Sequence, residues 1–412
     1  METIIYHIDV NSAFLSWEAS YRLNILGETS DLRLVPSVVG GNQASRHGIV
    51  LAKSIPAGRL GIKTGEPLVS AKEKCPNLLI CPPNYPMYDN ASRALTTLLS
   101  EYTPEIHQYS IDESFCNMTG TTRLFGSPLA AAELIKERIK QELGFTVNIG
   151  ISNNKLLAKM ASDFQKPDRI HTLFPCEIKD KMWPLPVGDL FFVGHATERK
   201  LLNYGIRTIG ELAACNEAWI KKNLGAHGRL VWQFANGDAR QIDRFTLCPV
   251  NKGYGNSITV PYDVTDTATA HAVILSLTET VAARIRADSA LISIVSISIV
   301  DYNFMHCGHQ EKLTSPTNIT RKIYETACRL FDEIWSGIPI RQLGVHTSGA
   351  QPYDSYQYSL FDNCNIEKEM RLDTAIDKIR NVWGEDAIIR GTLSTLVAPK
   401  AKRSRITNKR ID

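Results

Sequence analysis

From residue 250 to 350 the chain runs through one unbroken order of elements. A strand at 256–261 and a long helix at 267–287 come first, then a strand at 290–302 and a second after it, a helix at 317–335 and a strand at 340–348. Apolar patterns of period two and period 3.6 do not substitute for one another, so this stretch folds as a compact βαββαβ-like unit with its own two-faced sheet. The other end of the chain mixes the same elements less regularly. Residues 3–10 (TIIYHIDV) read as a buried strand, 34–40 as a second closed by Gly40-Gly41, and 145–151 as another. Ile106 to Ser110 is a strand that leads into Asp112-Glu113 and continues from Phe115 to Met118. Residues 87–101 and 128–143 carry helical spacing, with Gly144 as a stop signal. Between 179 and 240 the texture changes to short helices joined by Gly turns. The expected class is α+β and multidomain, divided as 1–178, 179–245, 246–350 and a last segment 351–412.

Composition enters as a filter. With 43% hydrophobic and 22% charged residues the chain can bury several cores, which excludes disordered and fibrous classes. Nine scattered cysteines without a C-x-x-C pair point to reduced thiols and a cytoplasmic setting rather than a disulfide framework. The longest apolar run, Ala290 to Val300, is broken by three serines and is too short to span a bilayer, so no membrane partner is expected. His306-Cys307-Gly308-His309 reads as a hairpin turn, since no second ligand group of matching spacing follows it. The net charge of +3 permits a nucleic-acid partner without suggesting one.

The sharpest chemistry lies at strand ends. Asp9 closes the first strand and Asp112-Glu113 sits at the end of another, where both members of the pair can turn toward one point. Three clustered carboxylates repel one another unless divalent cations neutralise them. Such a cluster suits two metal ions that clamp the attacking and leaving oxygens of a phosphoryl transfer. A lone Asp-Glu pair is more often a solvated strand end, so the flanking residues decide.

Those flanks form four motifs in order. His7-Ile8-Asp9-Val10-Asn11-Ser12-Ala13-Phe14 is the first, Gly58-Arg59-Leu60-Gly61-Ile62-Lys63-Thr64-Gly65-Glu66-Pro67 the second and Ser110-Ile111-Asp112-Glu113-Ser114 the third. The fourth runs from Gly150-Ile151-Ser152 through Lys155 to Lys159-Met160-Ala161-Ser162. Together they resemble the Y-family (translesion) DNA polymerases, and the resemblance continues through the thumb-like and βαββαβ segments. It implies a right-hand architecture: palm and fingers in 1–178 (fingers at about 20–80), a helix-hairpin-helix thumb, and the βαββαβ unit as little finger. The implied reaction is Mg²⁺-dependent, error-prone extension of primer-template DNA with deoxynucleoside triphosphates past damaged bases, in DNA repair. By this resemblance Asp9, Asp112 and Glu113 would hold two Mg²⁺ ions, with the Val10 carbonyl as a further ligand. Phe14 falls on the steric-gate position, where a ring clashes with a 2′-hydroxyl. The amides of Ala13 and Phe14, and the side chain of Lys159, would hold the triphosphate.

Three positions depart from the pattern. Ile55-Pro56-Ala57-Gly58 replaces the family's Tyr-x-x-Arg, which leaves Arg59 or Lys53 to contact the triphosphate. Asn11 stands where many members have Asp, and Ala13 replaces an aromatic. Elsewhere, Val193-Gly194-His195 resembles the thumb hairpin, whose exposed amides at Gly194 and His195 can bind a DNA phosphate without reading sequence. That segment is the most basic folded region, with ten basic residues against seven acidic over 179–249. Gln357-Tyr358-Ser359-Leu360-Phe361 resembles the peptide by which bacterial polymerases dock on the sliding clamp, with Gln357, Leu360 and Phe361 as anchors. Six Lys and Arg residues crowd the stretch from Lys400 to Arg410, a solvated tail or a nonspecific DNA tether. A monomer is expected. The rival reading, kept open by the altered fingers motif, is a non-catalytic clamp-tethered DNA scaffold.

Overall fold

The computed structural model describes residues 3–41, 48–240, 251–353 and 366–395. The chain divides into two compact units, one essentially 1–247 and the other essentially 248–412.

In the first unit an antiparallel core strand is flanked on both sides. β1 (Ile5–Val10) pairs with β6 (Glu113–Asn117) and with β7 (Val147–Ser152), and the five-stranded sheet is completed by β5 (Ile106–Gln108) and β8 (Ile170–Thr172). Every residue of β1 and β7 is buried, the polar His7, Asp9, Asn148 and Ser152 included. The sheet is covered by α1 (Ala13–Asn24), α4 (Tyr85–Ser100), α6 (Pro128–Arg138) and α7 (Lys155–Asp163), with the short α5 (Thr122–Phe125) before α6. The helix read at 128–143 ends as a π turn over Ile139–Leu143, stopped by Gly144 in the left-handed region.

α7 lies unusually close to the sheet. A Cβ on Gly150 would stand 1.9 Å from the Ala158 carbonyl oxygen and 2.5 Å from the Ser162 nitrogen. Only glycine permits that approach. Gly150→Ala should therefore destabilise this unit by about 3 kcal/mol or more, measured by chemical denaturation, because backbone rather than a flexible side chain has to yield. An unchanged midpoint would show that α7 can move away.

Between α1 and α4 the chain forms a small sheet, β2 (Ser37–Gly40) with β3 (Val50–Lys53) and β4 (Leu79–Cys81), over α2 (Ile55–Arg59) and α3 (Leu68–Lys74). It has a core of its own around Val38, Val50, Ile62 and Leu68. The strand expected at 34–40 starts only at Ser37. Asp31 caps a 3₁₀ turn at Leu32–Leu34 through the Arg33 amide, and Pro36 has no amide to give a ladder. Beyond the five-stranded sheet, α8 (His195–Asn203), α9 (Ile209–Ala214) and α10 (Glu217–Ala235) enclose another core with Leu201, Ile209, Leu212 and Phe234.

The second unit follows the βαββαβ order. β9 (Gly253–Val264), α11 (Thr267–Ala287), β10 (Ala290–Asp301), β11 (His306–Thr317), α12 (Thr320–Ile334) and β12 (Ile340–Ser348) form a four-stranded antiparallel sheet, β11-β10-β12-β9, with both helices packed on it. β13 (Gln351–Pro352) pairs with β10, and α13 (Ile366–Trp383) and α14 (Gly391–Thr395) follow. His306 to His309 is not the turn. It opens β11, while Asp301 closes the hairpin by accepting the amides of Asn303 and Met305 at 2.8 and 2.9 Å. Gly308 serves packing instead, since a Cβ there would stand 2.9 Å from the Ile297 carbonyl oxygen. Among the described residues no helix is long and apolar enough to cross a membrane.

Candidate active site

Strand pairing brings the backbones of the three acidic residues together. Asp9 lies directly opposite Glu113 in the β1–β6 ladder, and the Val10 amide donates to the Asp112 carbonyl at 3.1 Å. Asp112 precedes the first residue of β6, where the chain is released from strand alternation, and its Oδ1 accepts from Ser110 Oγ at 2.6 Å. Asp9 is buried, and burial is the main force that pushes its pKa up. Lys166 pulls it back, and Glu113 is near enough to add to the rise.

Two lysines answer that negative charge. Lys159, on the buried face of α7, donates to Glu113 Oε1 at 2.6 Å and stands 3.6 Å from Asp163. Lys166 bonds Asp9 and reaches Asp163 at 2.9 Å. Burial alone would lower both ammonium pKa values, yet the facing carboxylates hold both above the ordinary lysine value. Both lysines are therefore charged at neutral pH. No three acidic, His or Cys side chains among the described residues form a ready cage. The donor set nonetheless fits a hard divalent cation, since it consists of carboxylate oxygens, with Asp9 buried and Asp112 and Glu113 half-buried. Asp9, Asp112 and Glu113 are the residues that would hold it.

Lys166 was missed by sequence reasoning. It lies three residues beyond the end of α7, in a segment without periodicity, so the sequence carried no signal for it. Asn11, by contrast, is no ligand candidate. It donates to Asn148 Oδ1 and accepts from Thr146 Oγ1 and the Asp168 amide at 2.9–3.1 Å, which ties β1 to the segment carrying Lys166.

α1 begins at Ala13 without a side-chain cap, behind Ser12 in the left-handed region. The Ala13 and Phe14 amides therefore stand at an uncapped helix start. The Phe14 ring stacks on Tyr88 at 4.7 Å with 11° between planes, and Tyr88 is fully buried and bonded to Glu18. In the fingers, Arg59 is exposed at the end of α2, whereas Lys53 donates to the Ile62 carbonyl at 2.7 Å and passes over Gly58, where an added Cβ would stand 3.6 Å from it. Arg59 is thus the less committed of the two. At the thumb hairpin Gly194 caps α8, the His195 side chain is fully exposed, and Phe192 holds φ 71°. Gln357, Leu360, Phe361 and the basic tail lie outside the described residues.

A carboxylate trio on a mixed, mostly antiparallel palm sheet, with fingers, a hairpin thumb and a βαββαβ unit, defines a right-handed polymerase. The chain belongs to the Y family of DNA polymerases and is a DNA-directed DNA polymerase. Residues 8–163 match the impB/mucB/samB family, 251–360 its C-terminal domain and 175–206 its helix-hairpin-helix motif. DNA polymerase IV of Clostridium acetobutylicum is 46% identical over 394 residues, covering 95% of this chain and 98% of the relative. DNA polymerase IV 2 of Bacillus subtilis is 36% identical over 411 residues, 98% of this chain and 97% of the relative. Among solved structures, a Y-family chimera of Dbh and Dpo4 shares the fold at TM-score 0.70 and 21% identity, covering 85% of this chain and 99% of that one.

Proposed function

We propose that the enzyme extends primer-template DNA by Mg²⁺-dependent nucleotidyl transfer and does so across damaged template bases, an error-prone role in DNA repair. The observation that carries this reading is the pairing of Asp9 with Glu113 and Asp112 at the head of the palm sheet. Two bound Mg²⁺ ions would supply Lewis acidity for an in-line displacement at the α-phosphorus. The protein's own share is positional. Asp9, Asp112 and Glu113 present oxygens from adjacent strands, with the Val10 carbonyl beside them, while the Ala13 and Phe14 amides and Arg59 face the triphosphate. Gly194 and His195 hold a template or primer phosphate through backbone amides. Gln357, Leu360 and Phe361 dock the sliding clamp.

In this reading Lys159 and Lys166 neutralise the carboxylates in the free enzyme and turn to triphosphate oxygens when cations occupy the site. Lys166→Ala should then raise the KM for nucleotide about tenfold or more, the loss of one charge-assisted hydrogen bond. Steady-state kinetics checks this, and an unchanged KM would leave Lys166 as a structural ion pair only.

Primer extension with and without Mg²⁺, on intact and abasic templates, tests the whole proposal. Mg²⁺-dependent products that extend past the abasic site are expected. Shortened primers would indicate a nuclease, and unaltered primers would favour the clamp-tethered scaffold.

A further inference from the structure

Phe192 carries two costs at once, a left-handed backbone and an exposed ring. The turn from Leu190 to Val193 is closed by the Val193 amide, which donates to the Leu190 carbonyl at 2.9 Å, and Phe192 takes its third position at φ 71°. Glycine and asparagine hold that conformation at least cost, whereas a residue with a bulky side chain is strained in it. The ring is 47% exposed. It meets Phe191 at 4.7 Å and the buried Phe234 at 5.8 Å, both close to right angles, and the remainder faces outward. His227 Nε2 donates to the Phe192 carbonyl at 3.1 Å, so the strained residue is pinned in place. Backbone strain that the surroundings hold fixed is characteristic of contact sites.

The turn leads directly into the thumb hairpin. Gly194 caps α8 without a side-chain bond, and a Cβ there would meet nothing within 4 Å, so the first amides of α8 are open. The carboxylate of Glu198, in the first turn of α8, lies against Gly188 and 3.5 Å from His195 Nδ1, clear of Gly194. His227, which pins Phe192, follows a second open turn. Gly225 breaks α10 at φ 70°, and a Cβ there would also meet nothing within 4 Å.

We infer that the Phe192 ring packs on a deoxyribose of the DNA strand whose phosphate sits on the Gly194 and His195 amides. The inference rests on the reading of that hairpin as a phosphate site. In a nucleic-acid strand every internal phosphate is flanked by two sugars, and two residues of chain reach about 7 Å, so one of those sugars is within range. Deoxyribose presents a C–H face common to all four nucleotides. A contact with it buries the open ring and adds affinity without reading sequence. A base edge is a poor partner, because it demands hydrogen-bonding groups that a phenyl ring lacks.

Anisotropy titration of the full-length chain with fluorescent primer-template DNA, beside thermal melts, tests the inference. Phe192→Gly and Phe192→Asn remove the ring and relieve the backbone. Each should weaken the Kd about fivefold or more, the loss of one phenyl contact, with the thermal midpoint held or raised. Phe192→Trp should bind within about twofold of the unsubstituted chain, because it keeps an aromatic face. The slope of log Kd against log salt should stay the same in all of these variants, since no charge is removed. Unaltered affinity in Phe192→Gly and Phe192→Asn would overturn the proposal. So would affinity and thermal midpoint that fall together, because the ring would then be a prop of the thumb core. Gly194→Asp tests the hairpin separately: the new carboxylate would cap α8 and repel phosphate, so binding should weaken. Unchanged binding in Gly194→Asp would remove the hairpin site and the Phe192 contact with it. Weakened binding there, with unaltered affinity in the Phe192 variants, would remove the Phe192 contact alone.

Discussion

Asp112→Asn and Glu113→Gln are each expected to lower primer extension by about a thousandfold or more, roughly 4 kcal/mol of transition-state stabilisation. Each change keeps the shape of the side chain and removes its charge, so strand pairing around Asp9 should survive. DNA binding should change little, because the groups assigned to the phosphate backbone lie at the thumb hairpin. Glu113→Gln has a second consequence. Lys159, which donates to Glu113 at 2.6 Å, keeps an acceptor but loses its counter-charge there and retains Asp163 and Asp9 nearby. Single-turnover extension with saturating nucleotide separates a lost chemical step from weakened binding. Full activity in either variant would remove that residue from the metal site.

Phe14→Ala should admit ribonucleotides, improving their kcat/KM relative to deoxyribonucleotides by about 10- to 100-fold, the size of a relieved steric overlap. As the proposed gate, Phe14 has a stiff backing. Phe14 lies flat on Tyr88, which is buried and bonded to Glu18, and Glu18 in turn accepts from Arg22 at 2.8 Å. Tyr88→Ala should therefore relax the same discrimination partly, by letting the ring tip. Some stability loss is expected in Phe14→Ala, because the ring packs against the palm core, so protein concentrations should be normalised to the folded fraction. Continued exclusion of ribonucleotides by a folded Phe14→Ala enzyme would place the gate elsewhere.

Much of this was legible in the sequence, for identifiable reasons. β1 and β7 were readable from their β-branched and aromatic residues, although polar residues interrupt both, and the βαββαβ order was readable because its helices and strands are long. The carboxylates were legible because strand ends and motif order coincide. What remained hidden depends on tertiary approach. Lys166 reaches Asp9 from a segment that carries no periodicity, and Asn11 is defined by partners 135 to 157 residues away. His306 to His309 looked like a turn because glycine has two uses, and here close strand packing rather than positive φ was the one in force. The ionic inner face of α13 was invisible for the same reason: Asp373 and Asp377 read as surface acids until Arg286 is seen beneath them.

The most direct test of the central claim is an anomalous-scattering map of crystals grown with primer-template DNA, a non-hydrolysable nucleotide and Mn²⁺ in place of Mg²⁺. Two peaks bounded by Asp9, Asp112 and Glu113 are predicted, with Lys159 and Lys166 turned away from the carboxylates. Ordered DNA and nucleotide with no metal peak between these three residues, and both lysines still on Asp9 and Glu113, would contradict it.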